Sequence, residues 1–299
     1  MIKDKNMKQV VVLLYGGLGN QLFQYIMGEY IRHKYKLDVS YDFSSFGLLP
    51  TYRQYELQEI VKDIPKFTPK RLFFSKYTHI IRRLLQYSLN LQPGVCYINE
   101  LRTNLDERVF SSSRYKFIYL DGYWQNKKYI EWCVSNIPQF SIRPWKEMPE
   151  ILHDEFTFIS NNTCISMHVR RGDYLKKENA SIMALCSERY FSDSLKLIRS
   201  KVPEAKLVIF SDDPAWVKDN LKFDIDTKVI DNKDVSPIWY IFLMSICKHH
   251  IISNSTFSWW GAVLSRNKDT ITSAPTKWFN SNPLPPIYLD SWVLTHNGN

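Results

Sequence analysis

Gln9-Val10-Val11-Val12-Leu13-Leu14-Tyr15-Gly16-Gly17-Leu18-Gly19-Asn20-Gln21-Leu22-Phe23-Gln24 is the stretch that decides the fold. After Gln9 comes a β-branched and apolar run, too short to cross a membrane, that breaks at a glycine turn. Beyond the turn, Leu22, Phe23, Ile26, Met27, Tyr30 and Ile31 recur at helical spacing. The pattern predicts strand, glycine loop and helix. A second strand over 37–41, ending at Asp42, completes a β-α-β unit. Parallel pairing follows, because a helical crossover returns the chain in its original direction.

The same alternation returns in the second half. A strand over 164–167 precedes a helix near 187–200, and a strand over 206–210 precedes Ser211-Asp212-Asp213-Pro214 and a short helix through Trp216. A helix over 237–247 leads to a strand at 250–252, the turn Ser253-Asn254-Ser255-Thr256 and a helix opening at Phe257. Polar residues follow each strand, where ligands of open α/β sheets bind. Between the halves, Pro138, Pro144 and Pro149 interrupt a segment of little periodicity, which divides the chain into domains 1–145 and 146–299. The expected class is α/β, with two Rossmann-like domains whose parallel sheets face an interdomain cleft. The middle, 43–115, yields only a basic helix.

Five cysteines are an odd number, and none has C-x-x-C or other metal-ligand spacing, so they read as reduced thiols of a cytoplasmic protein. The polar start, Met1 to Lys8, and the absence of any long apolar run give no export signal and no membrane span. The glycosylation patterns at Asn161, Asn179 and Asn254 are then chance matches. The net charge of +9 is concentrated: 61–90 holds seven Lys/Arg against one acid, Asp63. That segment reads as a solvated helix face, or as a surface that rests on anionic lipid or receives a phosphate-bearing acceptor. No zinc finger, RNA-binding aromatic motif or basic-region heptad supports a nucleic-acid partner.

His168-Val169-Arg170-Arg171-Gly172-Asp173-Tyr174 places two guanidinium groups just past a strand. Guanidinium is always charged and grips phosphate bidentately, so the motif reads as an anion clamp for a phosphorylated ligand, or as a pair of ordinary salt bridges with Asp173 or Glu178 as partner. Neighbouring residues leaving a strand point to opposite sides. Arg170 is assigned to the phosphate, and Arg171 braces the domain. His168 shares the Arg170 side, as a donor to phosphate or base or as a satisfied core histidine. Gly17 and Gly19 permit close approach of a ligand to the protein backbone, and Asn20 and Gln21 offer amides at a helix start; a structural turn with an Asn cap is an equal reading. The third glycine of a dinucleotide fingerprint and the G-K-[ST] of a P-loop are both missing. Asn254, Ser255, Thr256 and Ser258 supply anion-binding groups at a helix N-terminus, or an elaborate cap. Asp212 and Asp213 read as acceptors for ribose or base, or as a plain cap.

Together, Gly-Gly-Leu-Gly-Asn-Gln-Leu-Phe-Gln (16–24), Gly-Tyr-Trp-Gln (122–125), His-Val-Arg-Arg-Gly-Asp-Tyr (168–174), Phe-Ser-Asp-Asp (210–213) and the segment 243–262, ending Ser-Asn-Ser-Thr-Phe-Ser-Trp-Trp-Gly-Ala, resemble the bacterial α-1,2-fucosyltransferases of glycosyltransferase family 11. The resemblance implies a GT-B architecture with an N-terminal acceptor domain and a C-terminal domain for GDP-β-L-fucose, the last ~20 residues packing back on the N-terminal domain. It implies inverting transfer of fucose to a galactose-terminated oligosaccharide or lipid-linked glycan, as in O-antigen synthesis at the inner membrane face. Arg170 would hold the β-phosphate, 253–258 the diphosphate, and no metal would be needed because arginine and helix N–H groups stabilise the leaving group. The acceptor proton would pass to Asp173 or Glu178, the latter because related α-1,6-fucosyltransferases carry a Glu at a similar distance after their His-x-Arg-Arg. Two positions depart from the family pattern: Tyr240, often Asp, and Met183-Ala184, often His-Gly.

Overall fold

The structure is a computed structural model, described over residues 8–46, 54–67, 92–100, 105–138, 142–144, 146–175, 181–231, 234–281 and 286–298. The chain forms two compact units, 1–141 and 142–299. Each is built on an all-parallel sheet.

The first unit opens with β1 (Gln9–Leu13), α1 (Leu18–Tyr35) and β2 (Asp38–Asp42), the predicted β-α-β unit. β3 (Val95–Asn99), the single-turn α2 (Arg108–Ser111), β4 (Phe117–Asp121) and α3 (Lys127–Asn136) follow, and the strand order is β2-β1-β4-β3. Alternation sorts the faces: Val11 and Leu13 cluster with Tyr119, Tyr15, Phe67, Val95, Tyr97 and Phe117, leaving Val10 and Val12 for the face that α1 covers. β3 lay in the middle stretch, 43–115, that yielded only a basic helix, and α3 was not predicted. α3 nonetheless carries a capping signal, since the Asn126 side chain accepts from Lys128 N.

The second unit contains α4 (His153–Ser160), β5 (Cys164–Val169), α5 (Glu188–Arg199), β6 (Lys206–Ser211), α6 (Pro214–Asn220) and β7 (Thr227–Ile230). α7 (Pro237–Ile246), β8 (His249–Ile251), α8 (Thr256–Val263), β9 (Thr272–Pro275) and β10 (Val293–Thr295) complete it, in the order β10-β9-β8-β5-β6-β7. Ile165, Met167, Val169, Leu207, Ile209 and Ile251 pack on Tyr190, Phe191, Leu195 and Ile198 of α5 and Val217 of α6. Burial on both faces is why these strands read as continuous apolar runs rather than clean alternation.

The chain's last stretch, expected to return to the first unit, instead joins the second. β10 extends the second sheet beside β9, and Asn297 bonds to Ala184 and Lys277. Most of the basic segment 61–90 lies outside the described residues. All five cysteines are free thiols. Among the described residues, no helix is long and apolar enough to cross a membrane. Asn254, in one glycosylation pattern, is buried and inaccessible to modification.

Candidate functional site

β5 runs two residues beyond its predicted end, so His168 and Val169 are still strand and Arg170 is the first residue past it. The period of two then separates the arginines. The Arg171 guanidinium lies 3.6 Å from the Trp216 ring centre on α6, with Nε 3.6 Å from Asp213 Oδ2, over the face that α5 and α6 cover. Arg170 Nη1 instead contacts Asp212 Oδ2 at 2.9 Å, with its guanidinium 5.6 Å from the Tyr174 ring centre. The two arginines thus lie on opposite sides, with Arg171 stacked and paired against α6.

Asp212 shapes the turn. Its Oδ1 accepts from Arg171 N at 2.9 Å while Oδ2 meets Arg170. A Cβ at Gly172 would lie 2.5 Å from Asp212 Oδ2, so a larger residue there would displace that carboxylate. Asp212 thus positions Arg170. Asp213, grouped with it as a ligand acceptor, is not brought to the same side: it caps α6 by accepting from Trp216 N at 3.2 Å. Capping and ligand binding ask for the same short acceptor, and here the helix takes it.

His168 stands on the Arg170 side of β5, its ring 5.6 Å from that of Phe257. It is 4% exposed, and its Nδ1 has no hydrogen-bond partner. Burial, with Arg170 adding to it, pushes its pKa down to about 3, so the ring is neutral at physiological pH. It can donate from one nitrogen and accept at the other, but it brings no charge to a phosphate.

The 253–258 stretch divides sharply by role. Ser253 Oγ donates to His168 O at 2.5 Å, tying the end of β8 to that of β5. Asn254 Nδ2 donates to Trp278 O at 2.9 Å, and Asn254 O accepts from Tyr174 at 2.8 Å. Ser255 caps α8 by accepting from Phe257 N, and Ser258 Oγ donates back to Ser253 O and Ser255 O. Thr256 and Phe257 are half-buried while their neighbours are buried. Hydroxyls expected to meet an anion therefore build the helix start.

In the first unit, Gln21 corrects its expectation. It is fully buried, with Nε2 donating to Gly16 O and Gln54 O and Oε1 accepting from Glu56 N, so its amide is spent on the fold. Gly17 is the N-cap of α1, Gly19 is buried within it, and Asn20 Oδ1 accepts from Gln125 Nε2 at 2.9 Å. Gln24, which sequence reasoning passed over, links two loops: Oε1 accepts from Tyr15 N and Nε2 donates to Gly122 O. A polar residue at an apolar helical position was the available signal. Asp173 opens a 3-10 turn, Asp173–Leu175, and Glu178 lies outside the described residues.

Tyr240 meets Phe210 edge-on at 6.5 Å, its pKa pushed up to about 12 by burial and by nearby carboxylates. Met183 pairs with Phe279 in an isolated antiparallel bridge. A cavity of about 650 Å³ opens on the Arg171 side, among Cys186, Ser187, Glu188, Arg189, Trp216 and Asn297. Neither Arg170 nor the α8 N-terminus lines it. Of its two arginines, Arg171 is stacked on Trp216 and paired with Asp213, and Arg189 is paired with Asp193.

The chain is 30% identical to the O-antigen biosynthesis glycosyltransferase WbnK of Escherichia coli, over 94% of this chain and 98% of that protein. It is 29% identical to an α-1,2-colitosyltransferase of Escherichia coli, over 93% and 95% respectively. Among solved structures it resembles a variant of Arabidopsis thaliana FUT1 in complex with GDP, with a TM-score of 0.52 at 11% identity, over 91% of this chain and 71% of that one. The fold is GT-B-like. The model of glycosyl transferase family 11 matches residues 9–296, and the chain belongs to that family.

Proposed function

We propose that this glycosyltransferase moves L-fucose from GDP-β-L-fucose to the 2-hydroxyl of a terminal β-galactoside, with inversion, in the synthesis of a surface glycan such as O-antigen. The observation that carries the reading is the convergence of Arg170, Asp212, His168 and the α8 N-terminus at the carboxyl ends of β5, β6 and β8, in a chain of family 11. The naming of full-length relatives for O-antigen glycosyl transfer and α-1,2 linkage supports it.

In the proposed reaction the acceptor oxygen attacks the anomeric carbon, and the bond from that carbon to the β-phosphate oxygen breaks. GDP departs with the electron pair. Arg170, held by Asp212, and the α8 N–H groups stabilise the charge growing on the diphosphate, a role that elsewhere falls to a metal ion. The acceptor proton goes to Asp173 or Glu178. Domain 1–145 would receive the acceptor and domain 146–299 the donor; Tyr240 and Phe210 provide an aromatic wall beside the clamp for a nucleobase. The protein would work at the inner membrane face.

A second reading rests on the colitosyltransferase relative: the donor sugar is GDP-colitose, used in the same chemistry with the same diphosphate clamp. Colitose lacks one hydroxyl of fucose, and a site that bonds that hydroxyl rejects the analogue strongly. Thermal shift and product release are therefore measured with GDP, UDP and CDP sugars, GDP-fucose and GDP-colitose included, with and without EDTA. We expect stabilisation by GDP sugars alone and turnover unchanged by EDTA. Stabilisation by a UDP or CDP sugar only, or loss of turnover in EDTA, contradicts the reading.

A further inference from the structure

The motif Gly122-Tyr123-Trp124-Gln125 takes no part in the donor clamp, yet the first unit invests heavily in its shape. Glu100 accepts from both Tyr123 N at 2.6 Å and Trp124 N at 2.8 Å, and Gln125 and Gln24 tie the loop to Asn20 and Tyr15. Trp124 sits in the left-handed region at φ 57°, an uncommon place for a bulky residue. Its indole N–H is buried without a partner, at a residue 2% exposed. A Cβ at Gly122 would lie 2.7 Å from Glu100 Oε2 and 3.0 Å from Trp124 Cε2, so the nitrogen-bearing edge of the indole and the carboxylate flank the same point. Strain and an unsatisfied donor persist only where surrounding structure enforces them, and they concentrate at ligand sites.

The alternation of β1, β3 and β4 supplies the rest. Leu13 and Tyr15, Tyr97 and Asn99, and Tyr119 and Asp121 share one face, the first member of each pair inside and the second at the carboxyl edge. There the Tyr15 and Tyr123 rings lie 4.6 Å apart, tilted by 36°. Asp121 accepts from the Tyr97 hydroxyl and from Asn99 Nδ2 at 3.2 Å. Tyr15, Asn99, Glu100, Asp121 and Tyr123 are all half-buried, so the cluster is reachable from solvent.

We propose that this cluster binds a neutral pyranose of the acceptor glycan. Aromatic faces cover the apolar C–H face of a sugar ring, while a carboxylate and an amide side by side match adjacent hydroxyls. The Trp124 N–H supplies a donor for a sugar oxygen. Two carboxylates exclude a phosphate or an acidic sugar by charge repulsion. The naming of the sugar as acceptor rests on the glycosyl-transfer reading; the binding of a pyranose does not.

The test is saturation-transfer NMR with methyl β-D-galactopyranoside, methyl β-D-glucopyranoside and methyl β-N-acetylglucosaminide, without donor, on the wild type, Asp121→Asn and Tyr123→Leu. Melting temperature and GDP affinity serve as folding controls. We expect binding by the wild type, at least tenfold weaker binding by both variants, and GDP affinity within twofold. No binding of any of the three sugars, or equal binding by properly folded variants, overturns the proposal. Transfer with an unchanged acceptor KM in Asp121→Asn sinks this site and leaves fucosyl transfer standing. Sugar binding lost in Asp121→Asn, with no transfer from any nucleotide sugar by the wild type, does the reverse.

Discussion

Two adjacent arginines with the same chemistry lie on opposite sides because a strand alternates. Arg170 leaves β5 on the His168 side and is held by Asp212, while Arg171 is stacked on Trp216. Lysine keeps charge but not the planar fork. Arg170→Lys is expected to lower kcat by on the order of 100-fold with the melting temperature unchanged, since one lost transition-state contact is worth about that much. Arg171→Lys should do the opposite, costing about 1 kcal/mol of stability through the lost stacking while kcat holds. Steady-state kinetics and denaturant melts of the two variants decide it; equal kinetic losses would contradict the division. The division was legible in the sequence because it depends only on periodicity. The duties of Asp213 and Gln21 were not, because a helix cap, a loop anchor and a ligand group call on the same polar atoms and only tertiary contacts choose between them.

At the scale of elements, strands flanked by long helices could be read to within about two residues, since apolar runs bounded by polar loops mark a buried parallel strand. β7, β9 and β10, three or four residues each, escaped, whereas β8 is as short and was read because the hydroxyl-rich turn 253–256 marks its end. The α8 start was legible as a cap or an anion site and is built as the first. Ser255 holds it by accepting from Phe257 N. Ser255→Ala is expected to cost about 1 kcal/mol in denaturant unfolding. On the proposed reading it should also weaken GDP binding, because the N–H groups assigned to the diphosphate lose their fixed start. A loss of stability with GDP affinity intact would detach α8 from the donor site.

At the scale of the whole molecule, the second sheet contributes two buried histidines to its acid sensitivity. His168 and His250 are both buried and held near a pKa of about 3, His168 by burial and Arg170, His250 by burial and its neighbour His249. Unfolded histidine titrates near 6.5, so between the two values the unfolded chain binds more protons and stability falls as pH falls. From pH 7 to pH 5 each contributes a loss of about 2 kcal/mol. His250→Asn can keep the partner of Ser166 Oγ, which lies 2.8 Å from His250 Nδ1. Unfolding free energies of that variant should drop by about 2 kcal/mol less than the wild type over the same interval; equal drops would contradict the assignment. The two-sheet architecture was visible in the β-α rhythm, whereas the destination of the last strand was not, because three residues carry no signal of their sheet. The central claim concerns the bond the protein makes. Incubation with GDP-β-L-fucose and a β-galactoside, followed by NMR of the product, should show fucose α-linked to O2 of galactose with one GDP released per transfer; a β-anomer, attachment at another hydroxyl, or no transfer to any galactoside would contradict it.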